Sequence, residues 1–298
     1  MHLKQKLNLP ENDLILEIGG GGNPHPHSKV LVDRFPDADG FGQRGRIPLV
    51  IGKRVMIQSD GGLMPFRNAQ FDYVILSHVI EHIPVEAIHQ FVGEVRRVAS
   101  GGYIEAPSIV YEAIRDIPEH CWYVVCEPGL VHLCPKKSVS RWKPFLDPLF
   151  EDENFRIAVE RYAEIFFTGM EWQTTFEVRI HNDLEELVAM YPSNWAAELV
   201  QKNLVLVEQA KERARNKDRV RRYIPPVLLD LRRAVLESFR ARWQSNDDDQ
   251  PMRDWRDLVV CPICHAELKI DMLGRNIECP SCSRRFVIRE DGIPSFIF

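Results

Sequence analysis

Four cysteines near the end of the chain form two pairs with the same spacing. Cys261 pairs with Cys264 and Cys279 with Cys282, with two residues between the members of each pair. Each pair suits a tight turn that presents two thiolates to one tetrahedral ion, and the segment between the pairs, with Gly274 in its middle, is typical of a hairpin. Four thiolates leave the ion no open coordination position, so we expect a structural metal. Zinc is the expected metal, with iron as the alternative.

A glycine loop and two acids follow successive apolar runs near the start of the chain. The loop runs from Glu17 to Asn23 and carries glycine at four consecutive positions, which lets the backbone turn and approach a ligand closely. Asp33 ends the second apolar run, where a carboxylate can accept both hydroxyls of a ribose. Asp60 ends the third, where it can accept from an adenine amino group. This pattern predicts a nucleoside pocket at the carboxyl ends of neighbouring strands; the alternative is that both acids only cap turns.

Histidines and acids in the middle of the chain are candidates for proton transfer. His78, Glu81 and His82 have the spacing that places three side chains on one face if the segment is helical. Such a face can also hold a divalent metal; the alternative is that Glu81 and His82 open the following helix and support a loop. Glu105 and His120 are further candidates for a catalytic base, the alternative for His120 being a histidine of an inserted core. The catalytic candidates are therefore His78, Glu81, His82 and His120.

Alternating strand and helix patterns through the first half of the chain must position these residues. They predict a parallel sheet covered on both faces, and right-handed crossovers make it a doubly wound, Rossmann-like α/β sheet. The predicted strands are 14–18, 29–33, 54–60, 71–77 and 101–107, with a helix at 85–98 and one further strand at 172–180.

The second half of the chain changes character. Apolar residues from Leu184 to Tyr191 recur at the spacing of one helix face, and helical patterns continue to about residue 245. The acidic segment 245–251 ends on a proline and is the expected linker. We therefore predict three domains, a nucleoside-binding α/β domain (1–182), a helical extension with linker (183–250) and a small β zinc ribbon (251–298).

Composition narrows the class of protein. The 298 residues are 45% hydrophobic and 27% charged, with a net charge of -5, which is ordinary for a globular protein and does not favour a nucleic-acid partner. The first residues are polar and no apolar run is long enough to span a bilayer, so we expect a cytoplasmic protein without membrane contact. Between Lys202 and Arg242 there are 12 Lys and Arg against 5 Asp and Glu. That excess indicates an RNA contact or, more commonly, a solvated helix face.

Residues 13–107 resemble the class I S-adenosylmethionine-dependent methyltransferases. The resemblance lies in Leu16 to Gly22, in Asp60 to Phe66 with the strand that follows, and in Ser77 to Ile83. Asn23 stands where that family has another glycine, and the short segment between Gly21 and Asp33 implies a stunted first helix. The implied cofactor residues are Glu17, Gly19, Gly21, Asn23, Asp33, Asp60, Gly61 and Ser77.

Residues 258–298 resemble the zinc-ribbon activator subunit of tRNA, ribosomal RNA and release-factor methyltransferases. That subunit docks on methyltransferase domains by strand addition, so the resemblance implies that the ribbon supports its own methyltransferase domain, either in cis or exchanged within a homodimer. We expect methyl transfer to an oxygen or nitrogen of a small molecule or glycan-type metabolite. The alternatives are an RNA methyltransferase and a non-catalytic scaffold that binds S-adenosylmethionine.

Overall fold

The computed structural model describes residues 7, 9, 13–36, 50–202, 254–273 and 275–298. The chain divides into two compact units, residues 1–192 with 253–298 and residues 193–252. In the second unit the described residues are 193–202, which are helical from position 195. The further helices expected after residue 203, the basic stretch up to Arg242 and the linker at 245–251 lie outside the described residues, Lys202 excepted.

A ten-stranded sheet forms the centre of the first unit, in the order β10 (Lys269–Asp271), β11 (Asn276–Glu278), β12 (Arg285–Ile288), β13 (Pro294–Ser295), β3 (Val55–Gln58), β2 (Val30–Asp33), β1 (Ile15–Ile18), β4 (Tyr73–Ser77), β5 (Gly101–Pro107) and β8 (Phe167–Gln173). The five strands predicted in the first half of the chain are present and pair in parallel, while β8 is antiparallel to β5. Their apolar runs are almost wholly buried, as expected for strands covered on both faces.

Helices cover the sheet unevenly. The predicted helix at 85–98 is a 3-10 turn, Val85–Ala87, followed by α1 (Ile88–Val98), whose apolar side chains are buried at helical spacing. Turns, and no helix, occupy the fully described segment between β1 and β2, in agreement with the expected stunted first helix. Further α-helices among the described residues of the first unit are α2 (Ile109–Arg115), α3 (Lys143–Leu146), α4 (Glu153–Arg161), α5 (Ala163–Phe166) and α6 (Leu184–Val188).

The prediction of a single strand at 172–180 is wrong. Residues 167–173 form β8 in the large sheet, and Glu177–Ile180 forms β9, which pairs with a different, three-stranded sheet. Thr174, between the two strands, has a positive φ of 67°, so the chain turns there and leaves the large sheet. The small sheet has the order β6 (Trp122–Glu127), β7 (Leu130–Pro135) and β9.

The C-terminal residues extend the large sheet. The hairpin of β10 (Lys269–Asp271) and β11 (Asn276–Glu278) is followed by β12 (Arg285–Ile288) and β13 (Pro294–Ser295). Ser295 pairs in parallel with Gln58 of β3, and the backbone N–H of Phe296 donates to the Gln58 carbonyl at 2.8 Å. One continuous core contains buried apolar side chains from both sides of this junction, namely Ile57, Met64, Phe66, Val259, Phe286, Ile288 and Phe296.

The three-domain division stays a prediction, although the C-terminal residues share a compact unit with the α/β sheet. Among the residues described, no helix is both long and apolar enough to cross a bilayer. The cytoplasmic location stays a prediction.

Candidate active site

A cavity of about 630 Å³ opens at the carboxyl ends of the parallel strands. This is where ligands bind in open α/β sheets, and the volume is in the range of small-molecule sites. Six of the eight predicted cofactor residues line it, and so do two of the four catalytic candidates. These lining residues are Gly19, Gly21, Asp33, Asp60, Gly61, Ser77, His78 and His82.

The glycine loop after β1 forms one wall of the cavity. Gly19 and Gly21 have φ of 69° and 56°, a left-handed conformation that favours glycine. A Cβ atom built on Gly19 would lie 2.7 Å from Cγ2 of Val79, so a side chain there would clash with the cavity wall. The Gly19 N–H donates to the Val32 carbonyl at 2.8 Å, which fixes the loop against β2.

The two acids predicted to bind the nucleoside lie on neighbouring strand ends. Asp33 ends β2, and its Oδ1 accepts from the backbone N–H of Phe35 at 2.8 Å. Asp60 follows β3, and its Oδ1 accepts from the Gly62 N–H at 2.7 Å. Its Oδ2 lies 2.8 Å from the guanidinium of Arg34, which also lines the cavity. The ion pair with Arg34 was not expected from the sequence, and it leaves adenine recognition by Asp60 a prediction.

Glu17 and Asn23 do not line the cavity. Glu17 is buried, and its Oε2 accepts from the His25 N–H and from the Ser28 hydroxyl. Burial raises the pKa of Glu17, while those two hydrogen bonds oppose the rise. Glu17 thus holds the 25–28 loop from behind, whereas Asn23 is exposed on the outside of the glycine turn. A direct cofactor contact by either residue stays a prediction.

His78 follows β4 in a left-handed conformation, with φ of 59°, so it does not share a helix face with Glu81 and His82. Its ring lies between two buried carboxylates, with Nδ1 3.3 Å from Glu81 and Nε2 3.4 Å from Glu105. Burial lowers the pKa of His78, but Glu105 and Glu81 outweigh it and raise the pKa to about 9. A charged imidazolium is a poor general base at neutral pH.

The other three catalytic candidates meet behind and beside the cavity wall. Glu81 and His82 belong to a 3-10 turn, Ile80–His82, and His120 comes from the loop before β6. Each offers one potential ligand atom, and these atoms lie within 4.8 Å of one another. Burial lowers the pKa of His82, which favours its neutral form. Among the three, only His82 lines the cavity.

The four C-terminal cysteines form one cluster. Their sulfur atoms lie within 4.8 Å of one another, and the Sγ atoms of Cys261 and Cys282 are 3.6 Å apart, those of Cys264 and Cys279 3.4 Å. A tetrahedral zinc with Zn–S bonds of about 2.3 Å places its sulfurs about 3.8 Å apart, so the cluster fits one zinc ion.

The C-terminal tail contributes a wall that sequence reasoning missed. Phe296, Ile297 and Phe298 line the cavity together with Arg34 and Phe35. The pairing of β13 with β3 brings the tail there, because the next residues continue past the end of β3. The closing run of apolar residues was a visible signal, but nothing in the sequence indicated which strand it would join.

Two family models match the sequence. Residues 42–105 match a methyltransferase domain, and residues 257–291 match the Trm112p-like proteins. A comparison with curated proteins finds no match.

Solved methyltransferases are similar to the α/β part at low identity. The YcgJ protein of Bacillus subtilis is 19% identical over 38% of this chain and 56% of its own, with a TM-score of 0.28. A putative methyltransferase of Bacillus halodurans is 21% identical over 38% and 57%, with a TM-score of 0.28. A SAM-dependent methyltransferase of Archaeoglobus fulgidus is 18% identical over 46% and 59%, with a TM-score of 0.26. The chain thus spans little more than half the length of these structures, and at such TM-scores the family matches carry the assignment.

The two matches confirm the predicted fold class and the predicted pair of modules. Over the matched ranges the predictions of a methyltransferase domain and, together with the four-cysteine cluster, of a zinc-binding ribbon are confirmed. Residues 42–105 of this chain thus match a methyltransferase domain, and residues 257–291, which include all four ribbon cysteines, match the Trm112p-like proteins.

Proposed function

We propose that this protein transfers a methyl group from S-adenosylmethionine to an oxygen or nitrogen of a small molecule or glycan-type metabolite. The observation that carries the proposal is the convergence of a glycine turn, Asp33, Asp60 and Ser77 on one cavity at the strand ends. This donor set fits the cofactor, because the turn leaves room for close approach and the carboxylates can accept from its ribose and adenine groups.

The bound cofactor supplies an electrophilic methyl group, so the chain's own task is to align it with the acceptor and to receive a proton. His78 and His82 both line the cavity. His78, held between Glu81 and Glu105, is a fixed positive charge, whereas His82 has a lowered pKa. We assign the positioning role to His78 and place the lone-pair donor at His82.

The charge of the cavity wall favours a small acceptor over RNA. Arg34 is the only Lys or Arg among the described lining residues, and it is paired with Asp60. RNA binding needs several cations along a phosphate track. Apolar residues fill much of the remaining wall, including Val79, Ile83 and Pro84. A compact acceptor with a hydroxyl or amine group suits this surface.

The ribbon supports the methyltransferase domain through the β3–β13 pairing and the tail. In our proposal both lie in one chain; the alternative is a homodimer in which two chains exchange ribbons. Cross-linking across the β3–β13 junction, read after denaturing electrophoresis, distinguishes them. Linked monomers support the first arrangement, and linked dimers support the second.

Methyl transfer is tested with methyl-labelled S-adenosylmethionine and a metabolite extract divided by size, with and without ribonuclease. Label in a ribonuclease-resistant, low-mass product supports the proposal. Label that ribonuclease releases from a large product overturns the choice of acceptor in favour of RNA, to which the basic stretch 202–242 points. Cofactor binding without label in any fraction favours the non-catalytic scaffold. The same assay is run on Asp60→Ala, which alters a cavity residue. Asp257→Ala, which alters an exposed ribbon residue outside the cavity, is its matched control.

A further inference from the structure

We propose that Glu81, His82 and His120 bind a second metal ion, a divalent transition metal, beside the cavity. Their potential ligand atoms lie within 4.8 Å of one another, so small side-chain movements would bring them within the roughly 4 Å that two ligands with bonds of about 2.1 Å to a single ion can span. Two imidazoles with one carboxylate are a ligand set that occurs in metalloenzymes with open coordination positions. The set is separate from the four-cysteine cluster of the ribbon.

The far nitrogen of each imidazole is already held in the way metal-binding histidines are held. Nδ1 of His82 lies 3.3 Å from the carbonyl of Glu119, and Nδ1 of His120 is in hydrogen-bond contact with the carboxylate of Glu112. When Nδ1 donates, a neutral imidazole keeps its lone pair on Nε2. Such outer partners fix the ring orientation of metal-binding histidines. Both rings therefore keep Nε2 for a ligand.

Glu112 is itself anchored, so the support continues outward from His120. Its other oxygen accepts from the ammonium of Lys136 at 2.8 Å, and the same ammonium lies 2.8 Å from Asp116. The side chains of these three residues are almost fully buried. Lys136 therefore fixes the Glu112 carboxylate, which in turn holds the His120 ring.

Glu81 is a buried carboxylate with an oxygen atom that a metal ion could bind. Its side chain is 1% exposed, and within the described part of the chain its Oε2 has no hydrogen-bond partner. The ion pair with His78, at 3.3 Å, engages only Oε1. A buried carboxylate oxygen without a partner is costly, and a cation bound at Oε2 would remove that cost.

The types of ligand limit which metal ions would bind and indicate what a bound ion could do. Imidazole nitrogen favours zinc, copper, iron or nickel over magnesium, calcium and manganese, which prefer oxygen. Because His82 lines the cavity, an ion bound to it would adjoin the cavity. Three protein ligands leave positions for an acceptor hydroxyl, whose proton the metal would make easier to lose to solvent. In that arrangement the lone pair of His82 is bound to the ion, and His82 acts as a ligand in place of the proton acceptor proposed above. This use of the ion rests on the proposed methyl transfer, whereas the binding of the ion does not.

The test measures metal content and cofactor binding on the same full-length protein. Purified chain is incubated with zinc, and separately with nickel, dialysed and analysed for metal by mass spectrometry. We expect two ions per chain in the wild type. We expect one ion in Glu81→Gln, which keeps the side-chain shape, and one in His120→Asn.

His181→Asn is the matched control, because His132 and His181 form another close histidine pair in which Nδ1 of His132 lies 2.9 Å from Nε2 of His181. This control should retain two ions. One ion in the wild type with every metal offered, or two ions in both cluster variants, overturns the proposal. Two ions in a wild type that fails to bind S-adenosylmethionine would sink the proposed methyl transfer and leave the metal site intact.

Discussion

The methyltransferase strands and the zinc ribbon differ in how deeply their residues are buried, yet their strands belong to one sheet and both regions line the same cavity. All four residues of β1 and all seven of β5 are buried, so those strands are held by their own packing. In the ribbon hairpin, β10 has no fully buried residue and β11 has only Ile277. The hairpin has little core of its own, so we expect the ribbon to depend on its metal for its fold. The C-terminal tail of the ribbon nevertheless lines the cavity. The zinc ribbon therefore contributes residues to a pocket that lies at the strand ends of the methyltransferase sheet.

Removing one thiolate of the zinc cluster should have the largest effect on the ribbon and on the cavity that its tail lines. In Cys261→Ser one of four thiolates is lost, and we expect the zinc to be released and the ribbon to unfold, since apparent zinc-binding free energies of such modules are about 10 kcal/mol or more. The tail then leaves the cavity, and affinity for S-adenosylmethionine falls. Metal analysis, thermal unfolding and calorimetry report the three effects. Cys134→Ala, a buried cysteine of the three-stranded sheet, should keep its zinc; unchanged zinc in Cys261→Ser would contradict the four-thiolate site.

Removing a carboxylate from the strand ends tests the sheet side of the pocket. A hydrogen bond to a charged group contributes about 1.5–3 kcal/mol, so Asp60→Ala should weaken cofactor binding by about 10–100-fold. Zinc content should not change, because Asp60 does not belong to the group of four cysteines. Calorimetry against Asp257→Ala as control gives the answer. Equal affinities would remove Asp60 from the cofactor site.

Shortening the tail tests the ribbon side of the same pocket with a smaller expected effect. Phe298 lines the cavity and is 63% exposed, so Phe298→Ala should remove an apolar contact with the cofactor of about 1 kcal/mol, or roughly 5-fold in cofactor affinity. Leu273→Ala is the control, because Leu273 is 99% exposed on the ribbon hairpin and does not line the cavity. If both variants bind equally well, the tail does not contribute to the cofactor site.

The exposed ion pair across the junction should matter least. Arg67 and Glu267 approach to 2.6 Å, but both side chains are solvent-exposed. Pairs of this kind contribute about 0–1 kcal/mol, so Arg67→Ala should shift the free energy of unfolding by no more than that. Chemical denaturation measures the change. Arg256→Ala, which removes another exposed ion pair of the ribbon, is the control. A larger loss would mean that charge, and not the shared apolar core, holds the ribbon in place.

The sequence predicted the strands well where their residues are continuously apolar and end at a glycine or an acid. It predicted the cysteine cluster because the spacing of each cysteine pair is enough to indicate a tight turn that presents two thiolates to a metal ion. It failed at residues 172–180, because the break at Thr174 depends on a backbone turn that no glycine or proline announces.

The site was harder to predict than the fold, since its remaining parts meet through tertiary contacts. His120 reaches Glu81 and His82 because the N–H of Cys121 donates to the Glu81 carbonyl at 2.7 Å, a contact between residues far apart in sequence. Arg34 reaches Asp60 only because β2 and β3 are neighbours in the sheet. The arrival of Phe298 at the cavity depends in the same way on the register of β13 with β3.

The central claim is that the strand ends and the ribbon tail together form a site for S-adenosylmethionine. Calorimetric titration of the cofactor into the zinc-loaded, full-length chain tests it most directly. We predict saturable binding of one cofactor per chain, weakened by Asp60→Ala and, to a smaller extent, by Phe298→Ala. Absence of binding by the wild-type chain with its zinc in place would contradict the claim.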